Sequence, residues 1–179
     1  MVSRLFLVQS LEFKVRIVAM SANTLPFVLA TLKNFHIARL PIWLFGGWAE
    51  EVWRMFAPRT HHDIDLLYVA PGFDTLDQYI DHTSSVTEIR AKRFSHKRAV
   101  VHQGTMIEFI LVEPQSEGYR TRFFADLYEL IWPRDLLDFQ LPIQGQVVSI
   151  ASKAALEIYR HNHTHIEKAY QSYRLEEVE

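Results

Sequence analysis

Three acids set in otherwise apolar segments are the residues of this sequence best placed to do chemistry. Asp63 and Asp65 stand two apart in the run Asp63-Ile64-Asp65-Leu66-Leu67-Tyr68-Val69, whose apolar content predicts a strand. Alternation along a strand sends both carboxylates to one face and Ile64 and Leu66 to the other. Adjacent anions repel, and a hard divalent cation relieves them: Mg²⁺ takes carboxylate oxygens, waters and the phosphate oxygens of a nucleotide. Glu108 interrupts the apolar run Met106-Ile107-Glu108-Phe109-Ile110-Leu111-Val112. A lone charge on such a strand is costly, so it should face a cation, a ligand or water. Laid beside the aspartate strand, it completes a three-carboxylate metal site. Glu113, before Pro114, is expected to be solvated. A glycosidase acid pair fails on geometry, because such carboxylates lie at least about 5 Å apart across a sugar.

Upstream, Ile42-Trp43-Leu44-Phe45 runs into Gly46-Gly47 at the start of a helical pattern. Missing side chains at a strand-to-helix turn let an anion approach free backbone N–H groups, and the helix start adds partial positive charge. Arg59 is the phosphate-binding candidate, since a guanidinium is permanently charged and matches phosphate geometry. Lys153 on the last helix is another cation considered. The basic stretch Lys92, Arg93, His96, Lys97 and Arg98 has two readings: a grip on triphosphate or an anionic acceptor, or a solvated hairpin whose alternation splits the charges between faces. His161, His163 and His165 lack the carboxylate or motif of a transition-metal site. His61 and His62 are expected at the rim of the site. The four tryptophans read as core or half-buried anchors, with Trp48 also able to line a nucleotide cleft.

These groups must be carried by an ordered set of elements. A helix is expected from Thr24 to about His36, with Pro26 tolerated near its start. Ser21 or Asn23 is the expected cap. The strand Ile42–Phe45 follows, then a helix from Trp48 to Phe56, the metal strand, and a short helix Asp74–His82. A β-rich stretch comes next: Val86–Phe94, Arg98–His102, Met106–Val112 and Tyr119–Phe124. Gln103-Gly104 is a hairpin turn, and Gln144-Gly145 divides a later strand pair. Ser149 or Ser152 would cap a final helix from about Ala151 toward Tyr173. The order predicts an α+β (mixed α/β) domain with a central mixed sheet flanked by helices.

A chain of 179 residues, 49% hydrophobic and 22% charged, suits one packed domain and argues against disorder. Residues 1–19 read as an N-terminal extension and 20–179 as the domain, because a helix-start signal falls at Met20 to Asn23. The absence of cysteine excludes disulfides, thiol catalysis and zinc–thiolate sites, and it suits a reducing, cytoplasmic location. A net charge of −2 argues against a nucleic-acid partner, and no apolar run is long enough for a membrane span.

The combination Leu44-Phe45-Gly46-Gly47, then Asp63-Ile64-Asp65-Leu66, then an isolated strand acid resembles the polymerase β-like nucleotidyltransferase superfamily. Gly46-Gly47-Trp48-Ala49 with Arg59, His61 or His62, and Asp63-Ile64-Asp65 resembles its aminoglycoside and lincosamide adenylyltransferase branch. The likeness spans roughly Leu40 to Val112. It implies that Gly46 and Gly47 cradle a triphosphate, that Asp63 and Asp65 bind metal, and that Glu108 completes the site and helps activate an acceptor hydroxyl. The implied activity is Mg²⁺-dependent transfer of a nucleoside monophosphate, AMP from ATP or another triphosphate, to a small hydroxylated acceptor. Glu50-Glu51 and His161-Asn162-His163-Thr164-His165 depart from the branch on the acceptor side. Two other readings remain open: a degenerate nucleotide-binding module, and a toxin–antitoxin-type modifier of RNA or protein. Tryptophan-rich surface leaves a homodimer contact open.

Overall fold

Residues 23–176 are described by the structure, a computed structural model. The assignment of residues 1–19 as an extension, and Ser21 as a cap, falls outside them. Helix α1 (Leu25–Ile37) forms where Val28, Leu29, Leu32 and Phe35 recur at helical spacing, and all four are buried. Pro26 sits in its first turn, where the missing N–H has no helical partner to lose. Asn23 does not cap this helix; Thr24 holds the cap position without a side-chain bond. The Asn23 amide instead donates to the Asp63 carbonyl at 2.8 Å and to the His61 carbonyl at 3.2 Å.

Among the described residues nine strands form the sheet: β1 (Ile42–Phe45), β2 (Asp63–Val69), β3 (Val86–Glu88), β4 (Lys97–His102), β5 (Thr105–Gln115), β6 (Gly118–Phe123), β7 (Tyr128–Ile131), β8 (Phe139–Ile143) and β9 (Gln146–Ile150). The main order is β3-β4-β5-β2-β1-β9-β8, with β6 on the far end of β5 and β7 on β6. Pairs β2–β5 and β1–β9 are parallel and the others antiparallel, so the sheet is mixed, as expected. Strand β2 lies at its centre with Ile64, Leu66 and Leu67 fully buried. Both predicted hairpins turn on Gln-Gly pairs whose residues all have positive φ, the geometry that matches strand twist.

Three further α-helices lie among the described residues: α2 (Gly46–Val52), α3 (Asp74–His82) and α4 (Lys153–Glu176). Phe35 of α1 meets Phe109 of β5 and Tyr79 of α3 edge to face, which puts α1 and α3 on one side of the sheet. Tyr159 of α4 meets Phe45 on the other side. Ser152 is the α4 cap, its Oγ accepting the Ala155 N–H at 3.1 Å. Among the described residues no helix is long and apolar enough to cross a membrane.

The expected strand Val86–Phe94 is shorter than its pattern. Only Val86–Glu88 pairs with β4, and Arg90–Lys92 closes into a 3-10 turn. That turn folds Lys92 back over the sheet, with consequences for Glu108. Strand β7 has no counterpart in the sequence reading.

Candidate active site

The parallel register of β2 and β5 pairs Asp65 with Glu108, and β1 places Phe45 opposite Asp65. One carboxylate oxygen from each of Asp63, Asp65 and Glu108 lies within 4.8 Å of the other two. Two-residue spacing brings Asp63 to the Asp65 face, and strand pairing supplies Glu108 from a segment over forty residues away.

Burial, then the Asp63 and Glu108 carboxylates, push the Asp65 carboxyl up to about 7; Lys97 and the Gly47 N–H oppose this. Such mutual destabilisation is what a bound cation would relieve. Hard carboxylate oxygens with room for nucleotide phosphates fit Mg²⁺. For Glu108, burial would raise the carboxyl, but Lys97 and Lys92 outweigh it and hold it below its ordinary range.

Gly46 and Gly47 each make room for a specific neighbour. Gly46 has φ +60°, and a Cβ there would stand 2.1 Å from Asp65 Oδ2. At Gly47 a Cβ would meet His61 Nδ1 at 2.6 Å. The pair therefore allows β2 and its preceding loop to close onto the start of α2. His61 is buried rather than on the rim: its Nε2 hydrogen-bonds Glu51 at 2.9 Å and its ring packs on Trp48. His62 is exposed. Trp48 donates to Asn23 Oδ1 at 3.2 Å, so Asn23 ties α2 to the segment entering β2. Trp48 lies outside the cleft described next.

A cleft of about 500 Å³ opens over the acids. Gly46, Asp65 and Glu108 form part of its floor, Lys92 and Lys97 one flank, and Phe94, Phe123 and Phe124 an aromatic wall. Helix α4 roofs it with Tyr159, His163, Ile166, Glu167 and Tyr170. Burial, then the Asp65 and Glu108 carboxylates, push the Tyr159 phenol up, so it remains an O–H donor. The roof residues were missed as a group, although 159, 163, 166 and 170 fall at the spacing of one helical face.

Other candidates take structural partners. Arg59 donates to Glu50 at 2.8 Å beside Gly47 and does not line the cleft. Glu50, itself buried, also pairs with Arg160 of α4. Lys153 sits 5.3 Å above the Trp53 ring, away from the acids. Glu113 is not solvated: Arg120 and Arg122 both pair with it, and its side chain is 12% exposed. The basic stretch is not a solvated hairpin either. Arg93 and Arg98 bind Asp77, Lys92 and Lys97 bind Glu108, and His96 is buried. Alternation did split the charges, and each half found an acid. His161 hydrogen-bonds the Glu157 carbonyl at 2.7 Å.

The mixed sheet presents three acids from two adjacent parallel strands, with a glycine turn against them. Solved structures with this fold include lincosamide antibiotic adenylyltransferase LnuA bound to lincomycin, with TM-score 0.61, 14% identity, 84% of this chain and 98% of that one. ANT(2")-Ia in complex with adenylyl-2"-tobramycin matches with TM-score 0.56 and 18% identity over 83% and 87% of the two chains. At these identities the likeness establishes the fold. No family model and no curated protein matches the sequence.

Proposed function

We propose that this chain is a Mg²⁺-dependent nucleotidyltransferase that moves AMP from ATP onto a hydroxyl of a small acceptor. The observation that carries the reading is the convergence of Asp63, Asp65 and Glu108, with Asp65 and Glu108 at the floor of a ligand-sized cleft, on a fold shared with two antibiotic-linked enzymes. Asp63, Asp65 and Glu108 would hold the metal, which supplies charge neutralisation at the reacting phosphate. Gly46 would let the triphosphate approach the start of α2 from the cleft, while the Gly47 N–H holds Asp65 and Arg59 stands beside it. The acceptor oxygen bonds to the α-phosphorus, the bond to the bridging oxygen breaks, and pyrophosphate leaves. The hydroxyl proton passes to Glu108, which is ionised in the unliganded cleft. Alignment within a walled cleft supplies most of the acceleration.

The acceptor follows from the neighbours and the wall. LnuA is seen with lincomycin and ANT(2")-Ia with an adenylylated tobramycin. Two lysines temper the acids here, and the wall is aromatic, so a lincosamide suits this cleft better than a polycationic aminoglycoside. A cytoplasmic location follows where ATP and Mg²⁺ are abundant.

The test incubates purified protein with ATP labelled at the α-phosphate, Mg²⁺ and separate lincosamide and aminoglycoside acceptors. Acceptor-dependent pyrophosphate release with label on the acceptor is expected. Nucleotide binding without transfer to any hydroxyl compound would favour a binding module.

A further inference from the structure

Both oxygens of Glu108 are already occupied. Lys92 Nζ donates to Oε1 at 2.6 Å, and Lys97 Nζ pairs with Oε2. Among the described ion pairs, neither Asp63 nor Asp65 has a cationic partner. The two lysines come from different elements, the 3-10 turn and the start of β4, yet both ammonium groups reach one carboxylate at the cleft floor. Their side chains are 39% and 22% exposed while Glu108 is 9% exposed, so the acid is fixed and the lysines can move. Each ammonium is carried on a flexible four-carbon stem.

A divalent cation bound to Glu108 and two ammonium groups on the same oxygens exclude one another by repulsion and by competition for lone pairs. Resting on the nucleotide-binding reading of this cleft, we infer that Lys92 and Lys97 are exchange residues. They neutralise Glu108 in the metal-free protein, leave it when the cation enters, and then pair with the polyphosphate that arrives with the cation. Without nucleotide, the cation must strand two ammonium groups inside the cleft. Without the cation, nucleotide meets two aspartates that lack a cationic partner among the described ion pairs, and two engaged lysines. Each ligand removes the cost the other meets, so metal and nucleotide bind with positive coupling.

The experiment measures two affinities: Mn²⁺ alone, by the paramagnetic resonance of the free ion, and a non-hydrolysable ATP analogue at saturating Mn²⁺, by calorimetry. The proteins are wild type, Lys92→Met, Lys97→Met, the double variant, Glu108→Gln, and Lys33→Met as a control on α1. For Lys97→Met, and more so for the double variant, Mn²⁺ alone should bind about ten-fold tighter and the analogue about ten-fold weaker, a coupling of ordinary size. Glu108→Gln releases the lysines permanently, so it should bind the analogue without metal more tightly than wild type does. Lysines that only support the strands would weaken both affinities together or move neither, and that overturns the exchange. A wild-type protein that binds Mn²⁺ but no analogue would overturn the functional reading itself, with the lysine effect on Mn²⁺ still measurable.

Discussion

Asp65 concentrates the conflict between stability and function. Its carboxyl rises from an ordinary 3.8 to about 7, first through burial and then through Asp63 and Glu108. Between those values the folded state holds a proton that the unfolded state has released. Stability from this group therefore falls as pH rises from about 4 to about 7, and the full penalty stands above that. Asp65→Asn removes the charge and keeps the shape. It should lose transfer activity by on the order of 100-fold or more, since the metal ligand and its electrostatic contribution go together. The same variant should melt several degrees above wild type at pH 8 in chelator, with the gap closing toward pH 5. Equal melting temperatures at pH 8 would show that the acids are not in conflict. Gly46→Ala acts on the same atoms in the opposite sense. A Cβ at φ +60° and 2.1 Å from Asp65 Oδ2 must displace the carboxylate or the turn. It should lower both the melting temperature and the rate, and an alanine variant with wild-type values for both would remove the close approach from the argument.

At the scale of elements, His96 joins the start of β4 to the turn after β6. Its Nδ1 accepts the Phe124 N–H at 3.1 Å, and burial, then Lys97 and Arg98, push it from 6.5 down to about 3. The folded state holds it neutral, so the unfolded state binds the extra proton below 6.5. The stability it contributes is present above that pH and is lost progressively toward about 3. His96→Asn keeps an acceptor without the titration. Its melting temperature should fall less steeply than that of wild type between pH 6.5 and 4; parallel curves would mean His96 is charged or exposed in the fold. Such pairings show where the sequence was legible and where it was not. The acids were readable because period-two alternation and apolar flanks are local signals, and strand register carried them to one point. Glu108 with Lys92 joins positions with no periodic relation, and Glu113 meets Arg120 across a hairpin whose turn went unread, so composition could not reveal either pair. Strand β7 escaped because its turn, Phe124-Ala125-Asp126, takes positive φ at three residues without one glycine to announce it.

The whole molecule places its three acids at the centre of the sheet and closes them under α4, so occupancy of the cleft should be felt by the entire fold. α4 is tied down by Arg160 to Glu50 and by the Tyr128 hydroxyl to Asn162, which makes roof, sheet and glycine turn one assembly. A ligand that binds only this assembled state stabilises it by RT ln(1 + [L]/Kd), about 2.7 kcal/mol at a hundredfold excess over Kd. For a chain of this length that should raise the melting temperature by roughly 5–10 °C. The shift should require ATP and Mg²⁺ together, because the carboxylates repel free triphosphate and the lysines hold Glu108 against free cation. Mg²⁺ alone should give a smaller rise, larger at pH 8 than at pH 6, since a protonated Asp65 is a poor ligand. An Asp63→Ala, Asp65→Ala double variant should start from a higher melting temperature and show almost no further rise with Mg·ATP. A shift of equal size in that variant would place nucleotide elsewhere on the molecule. No shift in the wild-type protein at millimolar Mg·ATP would remove the nucleotide from this cleft, and with it the transferase reading.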